Sequence, residues 1–247
     1  MFKNPELTYP GERFDTIHAT YFFPYTLDSR FINHPKTREI TELINPQLTI
    51  PLSELSITEL EIKDKITVSR LIPSPEESWR IHPETGLACR DLNGIGVEQL
   101  FDPDNSQVIN SLDVYAQRLL AHELTHIKRK EELKLHPNLL GAIISEGIGV
   151  YYEENWQGIK FNSHWGHVLN DAELVYETQR AQQELDNPNF DFSDWFYGNK
   201  GGHRRFAGYS LGYAIIGNFM KHNPNTPIAE LAVLPAETIY YDSSFRA

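Results

Sequence analysis

Residues 121–126 read Ala121-His122-Glu123-Leu124-Thr125-His126, and Ser145-Glu146-Gly147 follows a short distance on. On a helix, His122 and His126 stand four positions apart and leave one face, with Cβ atoms about 5–6 Å apart. Two ring nitrogens so spaced can meet one Zn2+ at about 2.0–2.1 Å. Glu123 lies too far round the helix to join the same ligand set, but it can reach a water held by the metal. A catalytic zinc keeps three protein ligands and an open position for that water. Glu146 is the natural third ligand, because it is a lone acid among apolar and small residues, where a carboxylate wants a cation. The pattern points to metal-assisted hydrolysis.

The surroundings carry a helical period. Leu112, Val114, Tyr115, Leu119, Leu120, Leu124 and Ile127 recur at helical spacing and predict a helix over 111–130. Asn110 or Ser111 is its expected N-cap, and Lys128, Arg129 and Lys130 suit the negative end of its dipole. A second helix is predicted over 138–154, starting after Pro137. Gly141, Gly147 and Gly149 lie inside it, each costing about 1 kcal/mol relative to alanine. Close approach of the two helices around a metal is the reason proposed for them. The plain alternative is a helix with two surface histidines, and the acid on the second helix argues against it. A di-metal bundle needs Glu-x-x-His on two helices. Glu123-Leu124-Thr125-His126 supplies one and a second is missing, so that reading is set aside.

His122-Glu123-Leu124-Thr125-His126, Leu139-Leu140-Gly141-Ala142-Ile143-Ile144-Ser145-Glu146-Gly147 and Gly208-Tyr209-Ser210-Leu211-Gly212-Tyr213 together resemble a bacterial family of predicted zinc-dependent proteases that includes the YjaZ-type proteins. More broadly, the first two resemble the gluzincin metallopeptidases, whose third ligand is a glutamate. The resemblance covers residues 65–245. It implies a zincin-like fold, Zn2+ on His122, His126 and Glu146, Glu123 as general base, and a peptide or protein substrate. It also implies an oxyanion donor from a later Tyr or His; Tyr209 comes first, with Tyr213 and His203 as further candidates. For either tyrosine the alternative is a packed aromatic. One departure matters: many gluzincins place an orienting acid four residues after the ligand glutamate, where this chain has Val150. Glu153 is the candidate replacement, and a solvated helix end is the alternative for Glu153 and Glu154. A rival of another class is a metal-containing binding or regulatory protein that hydrolyses nothing.

A net charge of −12 disfavours nucleic acid or an anionic membrane surface as partner. The single cysteine, Cys89, excludes an internal disulfide, fits a reducing compartment and reads as a small buried or half-buried residue. No signal-peptide pattern and no membrane-length apolar run is evident, so a cytoplasmic location is expected.

The expected fold class is α+β: a small, mostly antiparallel sheet with an edge strand over the active-site helix, then a mainly helical C-terminal part. Residues 1–64 read as an N-terminal extension of uncertain fold and 65–247 as the zincin-like domain, with one continuous domain as the alternative. Aromatic-rich Ile17–Phe31 suits a strand pair or a cleft rim, with core packing the commoner fate of such aromatics, and short helices are expected over 35–43 and 52–60. His18 and His34 read as structural or surface groups. Strands are expected at Ile66–Ile72 and Gly94–Leu100, and by resemblance Asn93–Phe101 is the candidate sheet edge, a plain connecting strand being the alternative. His164 and His167 are three apart; a cleft wall or surface role is preferred over a second metal site. Helices follow over 168–185, 207–221 and 226–235, with a mobile loop expected over 191–202. Arg204 and Arg205 suit a substrate carboxylate or a solvated pair.

Overall fold

The computed structural model describes residues 13–15, 19–22, 35–36, 39–40, 43, 59–63, 66–73, 85–91, 96–133, 138–156 and 161–245. The expectations for 23–34 (with His34), His18, most of the 52–60 helix and residues 93–95 lie outside these. The architecture is α+β, and two compact units interleave in the sequence. One comprises Met1–Ser53 and Asp64–Gln117, the other Glu54–Lys63 and Arg118–Ala247.

The first unit holds a five-stranded sheet. Its strands are β1 (Arg13–Asp15), β2 (Ala19–Phe22), β3 (Ile66–Pro73), β4 (Leu87–Asp91) and β5 (Gly96–Phe101), in the order β1-β2-β3-β5-β4. β1–β2 and β4–β5 pair antiparallel, whereas β2–β3 and β3–β5 pair parallel. The sheet is therefore mixed rather than mostly antiparallel. Nor is β5 an edge: both its flanks are hydrogen-bonded, and β4 lies outside it. Leu87, Val97, Leu100 and Phe101 are buried, as are Val108 and Leu112 on the helical residues that follow. Buried Gln99 donates from Nε2 to Ala116 O at 2.6 Å, fixing the strand to a π-helical turn over Leu112–Ala116. Helical structure begins earlier than expected, at Val108, and Ser111 makes no capping bond. Residues 35, 36, 39, 40 and 43 are helical, as their pattern predicts.

The second unit is helical: α1 (Gln117–Glu132, whose first residue belongs to the other unit), α2 (Leu139–Asn155), α3 (Asp171–Gln182), α4 (Phe192–Tyr197), α5 (Ala207–His222), α6 (Ile228–Val233) and α7 (Ala236–Asp242). Asn138 caps α2 by accepting from Gly141 N, and Asn170 with Glu173 forms a full capping box on α3. Where a mobile loop is expected, α4 forms instead. Asp191 caps it, Gly198 ends it at φ 66°, and Asp194 Oδ1 accepts from Lys200 N and Gly202 N.

All of Arg118–Arg129 is buried, so the polar groups on this stretch need partners. Thr125 Oγ1 donates to His122 O (2.7 Å), Lys128 Nζ to Glu61 O (3.0 Å), and Arg129 to Ala232 O and Leu234 O (2.9 and 2.8 Å). Lys128 and Arg129 thus tie segments together rather than merely facing the helix dipole. α2 and α5 cross with backbone against backbone, since a Cβ on Gly147 would collide with Gly212 and one on Gly212 with Ile143 O. Beside that crossing, Ile143, Ile144, Trp195, Phe196, Leu211, Ile215, Leu231 and Ile239 form one apolar core. It fixes α2 and α5 as the frame for the site. No helix among the described residues is long and apolar enough to cross a membrane.

Candidate metal centre

α1 presents His122 and His126 on one face, their ring centroids 4.9 Å apart. α2 brings Glu146 between them: its Oε2 lies 3.1 Å from His122 Nε2 and 3.4 Å from His126 Nε2. A Glu123 carboxylate oxygen joins one nitrogen from each histidine in a cluster whose atoms all lie within 4.8 Å of one another. His122, Glu123 and His126 are 5–8% exposed. The glycines make this approach possible, because a Cβ on Gly149 would stand 2.6 Å from His122 Nε2.

The residues fit a zinc ion on two counts. Atoms bonded to a tetrahedral zinc at 2.0–2.1 Å stand about 3.3–3.4 Å apart, close to the observed 3.1 and 3.4 Å. Both Nδ1 atoms are also engaged, His126 with Ser145 Oγ at 3.0 Å and His122 with Glu153 Oε2 at 3.3 Å, which leaves both Nε2 atoms turned to Glu146.

Charge concentrates here. Burial alone would raise the Glu146 carboxyl, but His126 and His122 hold it well below the usual carboxylate range. Burial opposes a charge on His122, yet hydrogen bonds to Glu146 and Glu153 push its pKa up to about 10. Burial pushes Glu153 upward against the bonds from His122 and Trp165.

Glu153 is fully buried and touches His122, so it is no solvated helix end. Val150, the position expected to be acidic, packs near Gly166. Glu154 is buried too, its Oε1 accepting from Ser163 N, Ser163 Oγ and His167 Nε2 at 2.7, 2.6 and 2.9 Å. His167 is thereby committed to a carboxylate, while His164 is exposed with its ring edge on Phe206. Neither belongs to a cluster of metal-ligating side chains among the described residues.

The three oxyanion candidates separate. Tyr209 on α5 has its ring centroid 6.3 Å from that of His122. Burial, then the charge of Glu146, raises its phenol well above the ordinary value, so it keeps its proton. Tyr213, one turn on, faces His167 (4.7 Å between centroids) and Glu154 instead. His203 is stacked on Trp195 at 3.6 Å, its Nδ1 2.9 Å from Glu177 Oε2 and its Nε2 3.3 Å from Arg180. Arg204 Nη1 donates to both carboxylate oxygens of Glu173 in an exposed pair, and Arg205 lies over the Phe206 ring.

Sequence reasoning missed Ser145, Trp165, Arg118 and Tyr197. Ser145 adjoins Glu146 in the sequence, and that adjacency is its signal. Trp165, whose Nε1 donates to Glu153 Oε2 at 3.0 Å, and Arg118, which donates to Glu153 O at 2.6 Å, carry no local signal. Tyr197 places its hydroxyl 3.4 Å from that of Tyr209. Phe206, which precedes α5, adopts φ 68°, a conformation few non-glycine residues take.

No curated protein and no solved structure matches the chain. A family described as "Predicted Zn-dependent protease (DUF2268)" matches residues 56–241, and the chain belongs to that family.

Proposed function

We propose that the protein is a zinc-dependent peptidase of zincin type. The observation that carries this is the approach of Glu146 Oε2 to His122 Nε2 and His126 Nε2, at 3.1 and 3.4 Å, with Glu123 beside the two histidines. His122, His126 and Glu146 would hold Zn2+, which when bound acidifies water and polarises a carbonyl. Glu123 takes a proton from the attacking water and delivers it to the departing amine. Tyr209, kept protonated by its surroundings, donates a hydrogen bond to the developing oxyanion. Glu153 and Ser145 hold the two imidazoles through Nδ1. The substrate is a peptide or protein chain.

The test is Glu123→Gln. Zinc content should match wild type while cleavage of a mixed peptide library falls to background. Cleavage that survives rejects Glu123 as the base. A wild-type protein that carries zinc yet leaves every peptide intact favours the non-hydrolytic rival.

A further inference from the structure

Trp165 has no part in the reading above, yet its indole is buried and its N–H goes to the Glu153 oxygen that faces His122. The other oxygen, Oε1, is buried without a hydrogen-bond partner among the described residues. The Arg118 guanidinium donates to the Glu153 backbone carbonyl, not to its carboxylate. Rotation about the last side-chain bond of a glutamate exchanges its two oxygens. Of the two contacts on Oε2, the one from outside the metal ligands is the indole.

We propose that Trp165 is a positioning residue for His122: it fixes the Glu153 carboxylate so that the imidazole keeps Nε2 turned to Glu146. This rests on the reading of His122 as a zinc ligand. The donor is itself firmly held. Trp165 O accepts from Ser210 Oγ on α5 at 3.0 Å, and that same Oγ accepts from Val168 N at 3.0 Å. On the other flank, Ser163 is bonded to Glu154 on α2 through both N and Oγ, and Gly166 N donates to Ser163 Oγ. The segment therefore spans α2 and α5 and carries the indole at a set height. It also occupies the space beside Val150, because a Cβ on Gly166 would stand 2.8 Å from Val150 Cγ1. The orienting carboxylate sits one turn farther along α2, at Glu153, where the indole can reach it.

Trp165→Phe keeps an aromatic ring and removes the N–H. Zinc affinity of the full chain, read by competition with a chromophoric chelator, should weaken about 10- to 100-fold, the usual loss when a ligand's supporting partner is removed. Glu153→Gln should weaken it similarly. The double variant should bind no worse than Glu153→Gln alone, because the two side chains act in series. A Trp165→Phe affinity within twofold of wild type overturns the inference, as does a loss that persists undiminished in the Glu153→Gln background. Should Trp165→Phe fail to fold, Ser210→Ala loosens the same indole through its carbonyl and must give the same dependence on Glu153. A wild type that takes up no zinc brings down the zinc reading itself, and this inference with it.

Discussion

Gly149→Ala places a methyl group against the His122 ring. The new Cβ would lie 2.6 Å from Nε2 and Cδ2, whereas ordinary contact begins at 3.4 Å. Ring or helix must give way by about 0.8 Å, more than the ~0.5 Å within which a site must be held to its working geometry. The ring has little freedom, with Glu153 at Nδ1 and Glu146 at Nε2. Overpacking costs about 1–3 kcal/mol, and the better helix propensity of alanine returns about 1 kcal/mol. The metal-free chain should therefore lose about 0–2 kcal/mol. Zinc affinity should fall at least tenfold, about 1.4 kcal/mol, because the displaced atom is a proposed ligand. Thermal melts without metal and chelator competition with it separate the two effects. Gly217→Ala is the control: its Cβ meets nothing within 4 Å on α5, so it should gain about 0.5–1 kcal/mol and leave zinc binding unchanged. Wild-type zinc affinity in Gly149→Ala would refute the reasoning.

Gly147→Ala forces a methyl group into the Gly212 backbone, and α2 and α5 must separate; a melt should show a loss at or above the ~1–3 kcal/mol of overpacking, larger than for Gly149→Ala. Tyr209→Phe should lower kcat by about 10²–10³ with zinc retained, as for loss of one oxyanion donor, whereas Tyr213→Phe should stay within a few-fold because its ring faces His167. In the metal-free chain His122 holds its proton to about 10 rather than the ordinary 6.5. That stabilisation is full below about 6.5 and is lost as pH rises towards 10, so the metal-free melting temperature should decline over that window. Zinc must displace the same proton, so its affinity should rise with pH over the same range, and a flat profile would contradict the assignment.

The strongest signals in the sequence were those with local periods. The four-residue spacing of His122 and His126, the helical run around them and the lone acid at Glu146 were enough to anticipate the meeting of α1 and α2. The glycines of α2 were legible as a sign of close approach, although not that Gly147 meets Gly212 and Gly149 meets His122. What escaped depends on distant pairing. β4 (Leu-Ala-Cys-Arg-Asp) lacks β-branched residues and exists by pairing with β5, which removes β5 from the edge. α4 hides in an aromatic stretch that reads as loop, and its short length relies on the Asp191 cap and the packing of Trp195 and Phe196. Glu153 and Glu154 look like a solvated helix end because their partners, Trp165, Ser163 and His167, come from a later loop. His203 and Tyr213 are candidates from their place on or just before the Gly-Tyr helix; their long-range contacts, with Glu177 and Trp195 and with His167, are not legible there.

The most direct measurement is zinc uptake by the purified full chain combined with X-ray absorption at the zinc edge. One ion per chain is predicted, with two imidazoles and a carboxylate oxygen in its shell at about 2.0–2.1 Å, and with uptake lost in His122→Ala and His126→Ala. A chain that takes up no zinc, or a shell without imidazole, would contradict the account.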